Sequence, residues 1–138
     1  MDAREIMTKD VVALAPDMSL DEATDMLLHY RIHGAPVAGE DGSLLGVVSF
    51  TDLAHHASEP LTVRDIMVTT PVTVTEDTPV EDVAAIMLDE MVRRVIVVRG
   101  SQVAGIISAS DIVRVFLDLH ELPRAKRLAA AGGRRPRR

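Results

Sequence analysis

Residues 46–52 read "GVVSFTD" and residues 105–111 read "GIISASD". Each stretch is a glycine, two β-branched aliphatics, a serine, a spacer, a second hydroxyl and an aspartate. The match continues outward from this pair. "REIMTKDVVALAPDMSLDEATDML" at 4–27 aligns without a gap with "RDIMVTTPVTVTEDTPVEDVAAIM" at 64–87, an offset of 60 residues. The offset falls to 59 where "AGEDGSLLGVVSFTDLA" faces "VRGSQVAGIISASDIV", so one residue is lost in a turn, where a sheet tolerates loss. Self-similarity at this period describes two copies of one supersecondary unit, packed together because neither covers its own sheet.

The composition bounds the rest. The 138 residues are 47% hydrophobic, but Tyr30, Phe50 and Phe116 are the only aromatics, so the core must be aliphatic. There are no cysteines, which excludes disulfides and thiolate metal sites and fits a reducing compartment. No apolar run approaches the roughly 20 residues of a membrane helix. The first residues, "MDAREIMTKD", are acidic and mixed, unlike a secretory signal. These features predict a soluble, cytoplasmic protein with no membrane association.

Charge is distributed unevenly. Of the 21 acidic residues only Glu121 lies beyond residue 118, whereas seven of the 15 Lys and Arg residues do. The basic end, "PRAKRLAAAGGRRPRR", is rich in Gly, Ala, Pro and Arg and is expected to begin as a helical extension and to end disordered. The organisation is therefore repeat one at 1–60, repeat two at 61–119 and a basic tail at 120–138.

Each copy reads as β–α–β–β–α, an α+β class of fold. Short strands are expected at Val11–Leu14 and Val72–Val74. The following helices carry N-terminal signatures: Thr78-Pro79-Val80-Glu81 in copy two, and Ser19-Leu20-Asp21-Glu22, one residue out of register, in copy one. Apolar residues at Leu20, Ala23, Met26 and Leu27, and at Val80, Val83, Ala84 and Met87, keep helical spacing. Hairpins follow, with strands Ala35–Val37 and Leu44–Val48 around "GEDGS", and Val95–Val98 and Val103–Ile107 around "RGSQ". A second helix starts near each motif aspartate.

The chain resembles a tandem pair of cystathionine-β-synthase (CBS) domains, often called a Bateman module. The residues that carry the resemblance are "IMT" and "IMV" on the lead-in strands, "HGAPV" and "RRVIVV" on the second strands, and the two terminal motifs. Together they cover residues 4–117 in the family's order, twice. The resemblance implies a pseudo-twofold pair of repeats and a regulatory module binding adenine nucleotides (AMP, ADP or ATP) or a related adenosine ligand, with no obligatory cofactor. S-adenosylmethionine and NAD-type molecules belong to the same ligand class.

The motif residues suit that chemistry. A helix N-terminus presents free N–H groups and partial positive charge to a phosphate. Ser49 and Thr51, or Ser108 and Ser110, add hydroxyl donors, while Asp52 and Asp111 suit a ribose diol. The same pattern is also an ordinary helix cap, and both roles can coexist. By resemblance each cleft joins the motif of one repeat to two strands of the other. Ser49, Thr51 and Asp52 then face Thr70, Val72, Val92, Arg93 and Arg94. Ser108, Ser110 and Asp111 face Asp10, Val12, Ile32, His33, Gly34 and Ala35. On this reading the arginines put a phosphate-rich ligand first in the Asp52 cleft.

Other chemistries are weaker in the sequence. His29 and His33, with His55 and His56, suggest zinc only by spacing and read as solvated helix residues. Ser49, Asp52 and His56 could be cast as a hydrolytic triad, but Val115 stands where copy two would need its histidine. The seven methionines fall mostly on apolar faces and read as core. Arg134, Arg135, Arg137 and Arg138 lack interleaved aromatics, so nucleic acid is not an expected partner. Surplus apolar residues on the helices (Leu27, Leu28, Tyr30, Ile32, Ile86, Met87, Leu88 and Met91) predict a twofold homodimer. An alternative function is a structural adaptor that engages a partner through the basic tail; under either reading any regulated enzyme or transporter is a separate protein.

Overall fold

The computed structural model describes residues 1–121, and the expectations for the basic tail concern residues largely outside them. Eleven elements follow in chain order. The first repeat contributes α1 (Ala3–Ile6), α2 (Leu20–Tyr30), β1 (Gly34–Ala38), β2 (Leu44–Ser49) and α3 (Phe50–His55). The second contributes α4 (Val63–Ile66), β3 (Thr73–Thr75), α5 (Val80–Asp89), β4 (Arg94–Arg99), β5 (Gln102–Ser108) and α6 (Ala109–Leu119).

The sheets are small and related by the repeat. β1 and β2 pair antiparallel, and β4 pairs antiparallel with β5 while β3 joins its other edge in parallel. Both hairpins carry a register shift at the same place, after Val37 and after Val97. The first strand expected at Val11–Leu14 shrinks to a single bridge from Leu14 to Val37. Proline explains the loss. In repeat two Ile96 N donates to Val72 O at 3.2 Å, and the matching residue in repeat one is Pro36, which has no N–H to give.

The helix starts also differ from one another. Ser19 caps α2 as expected, its Oγ accepting from Glu22 N at 3.1 Å. Thr78 does not cap α5: Pro79 takes the cap position without a side-chain bond, and Thr78 Oγ accepts instead from Thr75 N at 3.1 Å. α2 closes on Arg31 in the left-handed region, and Met91 adopts nearly the same conformation after α5 (φ 55° and 53°).

The lead-in segments read as strands are helical turns, and they are exchanged. α1 packs on the second repeat, where Ala3 N donates to Thr78 O at 2.8 Å and Arg4 N to Glu76 O at 3.0 Å. α4 packs on the first, where Val63 N donates to Met18 O and Arg64 N to Pro16 O, both at 2.9 Å. Val63 thus completes a core of Leu14, Leu20, Ala23, Leu27, Ala35, Val37, Val48 and Leu53. Ala3 completes the other, built from Val74, Val83, Met87, Val95, Val97 and Ile107. Burial of aliphatic side chains on this scale supplies the main driving force, about 25 cal/mol per Å² of apolar surface. The two repeats cannot be separated without opening both cores.

Beyond each turn the backbone ladders continue across the repeats. Thr8 and Ile106 exchange N–H···O bonds at 2.9 and 3.1 Å, and Val68 and Val47 do the same at 2.9 and 3.0 Å. At the other end the hairpin tips meet, with Leu44 N donating to Ser101 O at 2.9 Å.

Candidate ligand-binding site

Both motifs end a strand on their serine and start a helix on the next residue. Ser49 Oγ accepts from Asp52 N at 3.1 Å while Asp52 Oδ2 accepts from Ser49 N at 3.0 Å. Ser108 and Asp111 repeat the arrangement at 3.2 and 2.8 Å. These are capping boxes, so the capping role of the pattern is present in both copies. Thr51 and Ser110 remain exposed at the helix starts. Phe50 N donates to His33 O and Ala109 N to Arg93 O, each at 2.7 Å, which ties each motif to the residue just before its partner strand.

A cavity of about 930 Å³ opens beside these ties, within the range of small-molecule sites. Its walls bring together Asp10, Val12, Ile32, His33 and Gly34 with Ser108, Ser110 and Asp111, along with Ser49, Thr51, Arg93 and Arg94. The remaining sequence-derived candidates do not line it. Ala35 is buried in the first core, Val72 and Val92 pack on the second, Thr70 is exposed, and Asp52 caps α3.

The cavity brings Arg93 and Arg94 together with Ser49 and Thr51, as the sequence grouped them, and also with Ser108, Ser110 and Asp111, while Asp52 of that group does not line it. Thr8, Val11, Arg31, Phe50, Ile106 and Ala109 also form walls that sequence reasoning did not single out. Thr8 and Ile106 arrive through the ladder between repeats, and Arg31 through its left-handed turn, which reverses the chain out of α2.

Arg94 is half-buried, and burial, followed by the neighbouring Arg93 charge, lowers its pKa. Its guanidinium lies against Gly34, where an added Cβ would meet Nη1 at 2.8 Å. Gly34 and Arg94 occupy matching positions of the two repeats, so the space vacated by one holds the side chain of the other. Asp111 is engaged on both oxygens, by Ser108 N and by Arg114 Nη1 at 3.0 Å. Among the described residues no three His, Cys, Asp or Glu side chains converge as a metal site. His29 stacks edge-on with Tyr30, and His56 Nδ1 lies 3.0 Å from Glu59 Oε2. No helix among the described residues is long and apolar enough to cross a membrane.

Two exchanged β/α repeats with a polar-rimmed cavity between them define a tandem-repeat α+β fold. The chain belongs to the CBS domain family, whose profile matches residues 3–59 and 63–118. A zinc metalloprotease of Methanocaldococcus jannaschii is 40% identical over 121 residues, which are 86% of this chain and 34% of that protein. The chain thus spans about a third of that relative's length, and 23% of the M. jannaschii inosine-5'-monophosphate dehydrogenase it also matches. Among solved structures, the CBS domain pair of protein MJ0100 in complex with 5'-methylthioadenosine and S-adenosyl-L-methionine is 30% identical with a TM-score of 0.80. CBSX2 of Arabidopsis thaliana, crystallised with AMP, is 27% identical with the same TM-score, over 86% of this chain and 98% of that one.

Proposed function

We propose that this chain is a regulatory module that binds an adenosine-containing ligand in the cavity between its repeats. The observation that carries the reading is the convergence, in one space, of both serine motifs with the strand starts at His33–Gly34 and Arg93–Arg94. Val11, Val12, Ile32 and Ile106 supply an apolar slot for a base, Asp111 can accept from a ribose hydroxyl, and Ser108 and Ser110 stand at the start of α6. The AMP and S-adenosylmethionine complexes of the related pairs support the same class. The motif serines and aspartates form capping boxes at the starts of α3 and α6, which fits a binding role. Ligand would act by changing how the exchanged repeats pack on a separate or attached partner.

Isothermal titration of the full chain with AMP, ADP, ATP, S-adenosylmethionine, 5'-methylthioadenosine and NAD tests this. Saturable heat with at least one is expected. No heat and no thermal shift with any of them would discard ligand sensing in favour of the adaptor role.

A twofold homodimer is part of the proposal. Leu27 and Met87 turn inward, but Leu28, Tyr30, Leu88 and Met91 stay exposed, as do Val113, Phe116 and Leu119 on α6. Faces of this kind commonly mark association surfaces.

A further inference from the structure

The cavity draws on the two repeats unequally. One side of it is a whole cleft: the first lead-in gives Asp10 and Val12, the turn into β1 gives Ile32 and Gly34, and the second motif gives Ala109 and Asp111. Each has a counterpart in the other copy, 60 residues on for the first four and 59 back for the last two: Thr70, Val72, Val92, Arg94, Phe50 and Asp52. Of these counterparts only Arg94 and Phe50 reach the cavity. Thr70 is exposed, Val72 and Val92 pack on the second core, and Asp52 caps α3.

The backbone does not make this difference. Phe50 N and Ala109 N donate to matching carbonyls at the same 2.7 Å, both motifs form the same capping box, and Arg31 and Met91 turn through nearly the same φ. Side-chain bulk does make it. Val12 and Asp111 are matched by the same residue types, and Ile32 by the similar Val92. Large changes fall at two places, Gly34 against Arg94 and Ala109 against Phe50. Arg94 lays its guanidinium over Gly34, toward the open cleft. Phe50 is therefore the bulk left on the other side, half-buried against the first core where Ala109 offers a single methyl group.

We infer that each chain holds one adenosine ligand, in the cleft of Asp111, and that Phe50 closes the matching cleft of Asp52. The inference rests on the adenosine-ligand reading and adds to it a stoichiometry and a place. It reverses the order expected from the sequence, in which the Asp52 cleft fills first. Interiors packed to crystal-like density leave no room for a ligand where a ring already stands.

Equilibrium dialysis and calorimetry of the full chain with AMP, and with 5'-methylthioadenosine, count the sites. One equivalent per 15.0 kDa chain is expected. Ala109→Phe writes the closing residue into the open cleft, at a position whose counterpart already carries phenylalanine. It should weaken binding at least about tenfold while the melting transition is kept. Ala109→Val, a smaller obstacle, should weaken binding less. Phe50→Ala should raise the count toward two. Two equivalents in the wild type, an affinity indifferent to both substitutions at 109, or a single site retained in Phe50→Ala would overturn the inference while leaving the adenosine reading intact. Binding of neither ligand would overturn that reading, and the inference with it.

Discussion

Met7 Sδ lies 2.6 Å from the point a Cβ at Gly105 would occupy, and Met67 Sδ lies 2.9 Å from the matching point at Gly46. The methionine of each lead-in turn therefore seats on the glycine that opens the other repeat's motif. The Ile-Met signature and the glycine–aliphatic–aliphatic–serine motif, far apart in sequence, are two sides of one contact. This explains why the glycine is written twice: in each copy it is the seat for an exchanged side chain.

Substituting the seats should destabilise unequally. At Gly105 the obstacle is the flexible Met7 side chain, whereas at Gly46 the nearest atom is the Val68 carbonyl oxygen, 2.7 Å away on the backbone. Overpacking costs about 1–3 kcal/mol. Gly46→Ala is expected at the upper part of that range and Gly105→Ala below it, read as shifts in denaturant midpoint at constant slope. The reverse order would mean that the methionines, not the carbonyl, resist displacement.

Acid should loosen the exchanged α1 turn. Glu76 is held at about 2, below its ordinary 4.5, chiefly by the Arg99 side-chain hydrogen bond, then by the charges of Arg99 and Arg4 against an opposing desolvation. Because the folded-state pKa is the lower one, the stabilisation is complete above about pH 4.5 and is lost as pH falls toward 2. Melting temperatures of wild type and Glu76→Gln should differ at pH 6 and converge through that window. Parallel curves down to pH 2 would exclude Glu76 as the titrating group.

The motif aspartates should separate capping from ligand binding. Asp52 and Asp111 both accept from their serine N–H, so Asp52→Ala and Asp111→Ala should each cost about 1 kcal/mol of stability. Only Asp111 lines the cavity, so only its loss should weaken AMP markedly in calorimetry. Greater weakening from Asp52→Ala would restore the grouping read from the sequence.

Assembly is testable without ligand. Leu88 and Met91 are 81% and 90% exposed, so changing both to glutamate should leave folding intact. Light scattering at micromolar concentration is expected to give twice the 15.0 kDa chain mass for wild type and the single mass for the double variant. A monomeric wild type would remove the dimer from the proposal.

The repeat, the fold class, the Ser19 cap and most of the cavity walls were legible because each depends on local pattern or on alignment of one copy with the other. What was not legible depends on partners distant in sequence. The lead-in turns carry Asp2/Glu5 and Thr62/Asp65, and Glu5 Oε1 and Asp65 Oδ2 accept from the preceding cap N–H at 3.1 and 2.8 Å. Those helix signals were available, but the aliphatic "IM" run masked them. The loss of the strand at Val11–Leu14 depended on Pro36 across the sheet. The reach of Arg94 depended on Gly34 in the opposite repeat, a relation that no window of local sequence contains.

The exchange of α1 and α4 has a consequence for the history and handling of the chain. Split near Pro60, each half would carry the stopper that fits the other half's opening, Ala3 in the first and Val63 in the second. Neither half is then expected to fold when expressed alone, whereas the two mixed together should recover the native circular dichroism. A duplication built in this way does not easily reverse: deleting either copy leaves the survivor unplugged, so the two must be inherited, and engineered, as one.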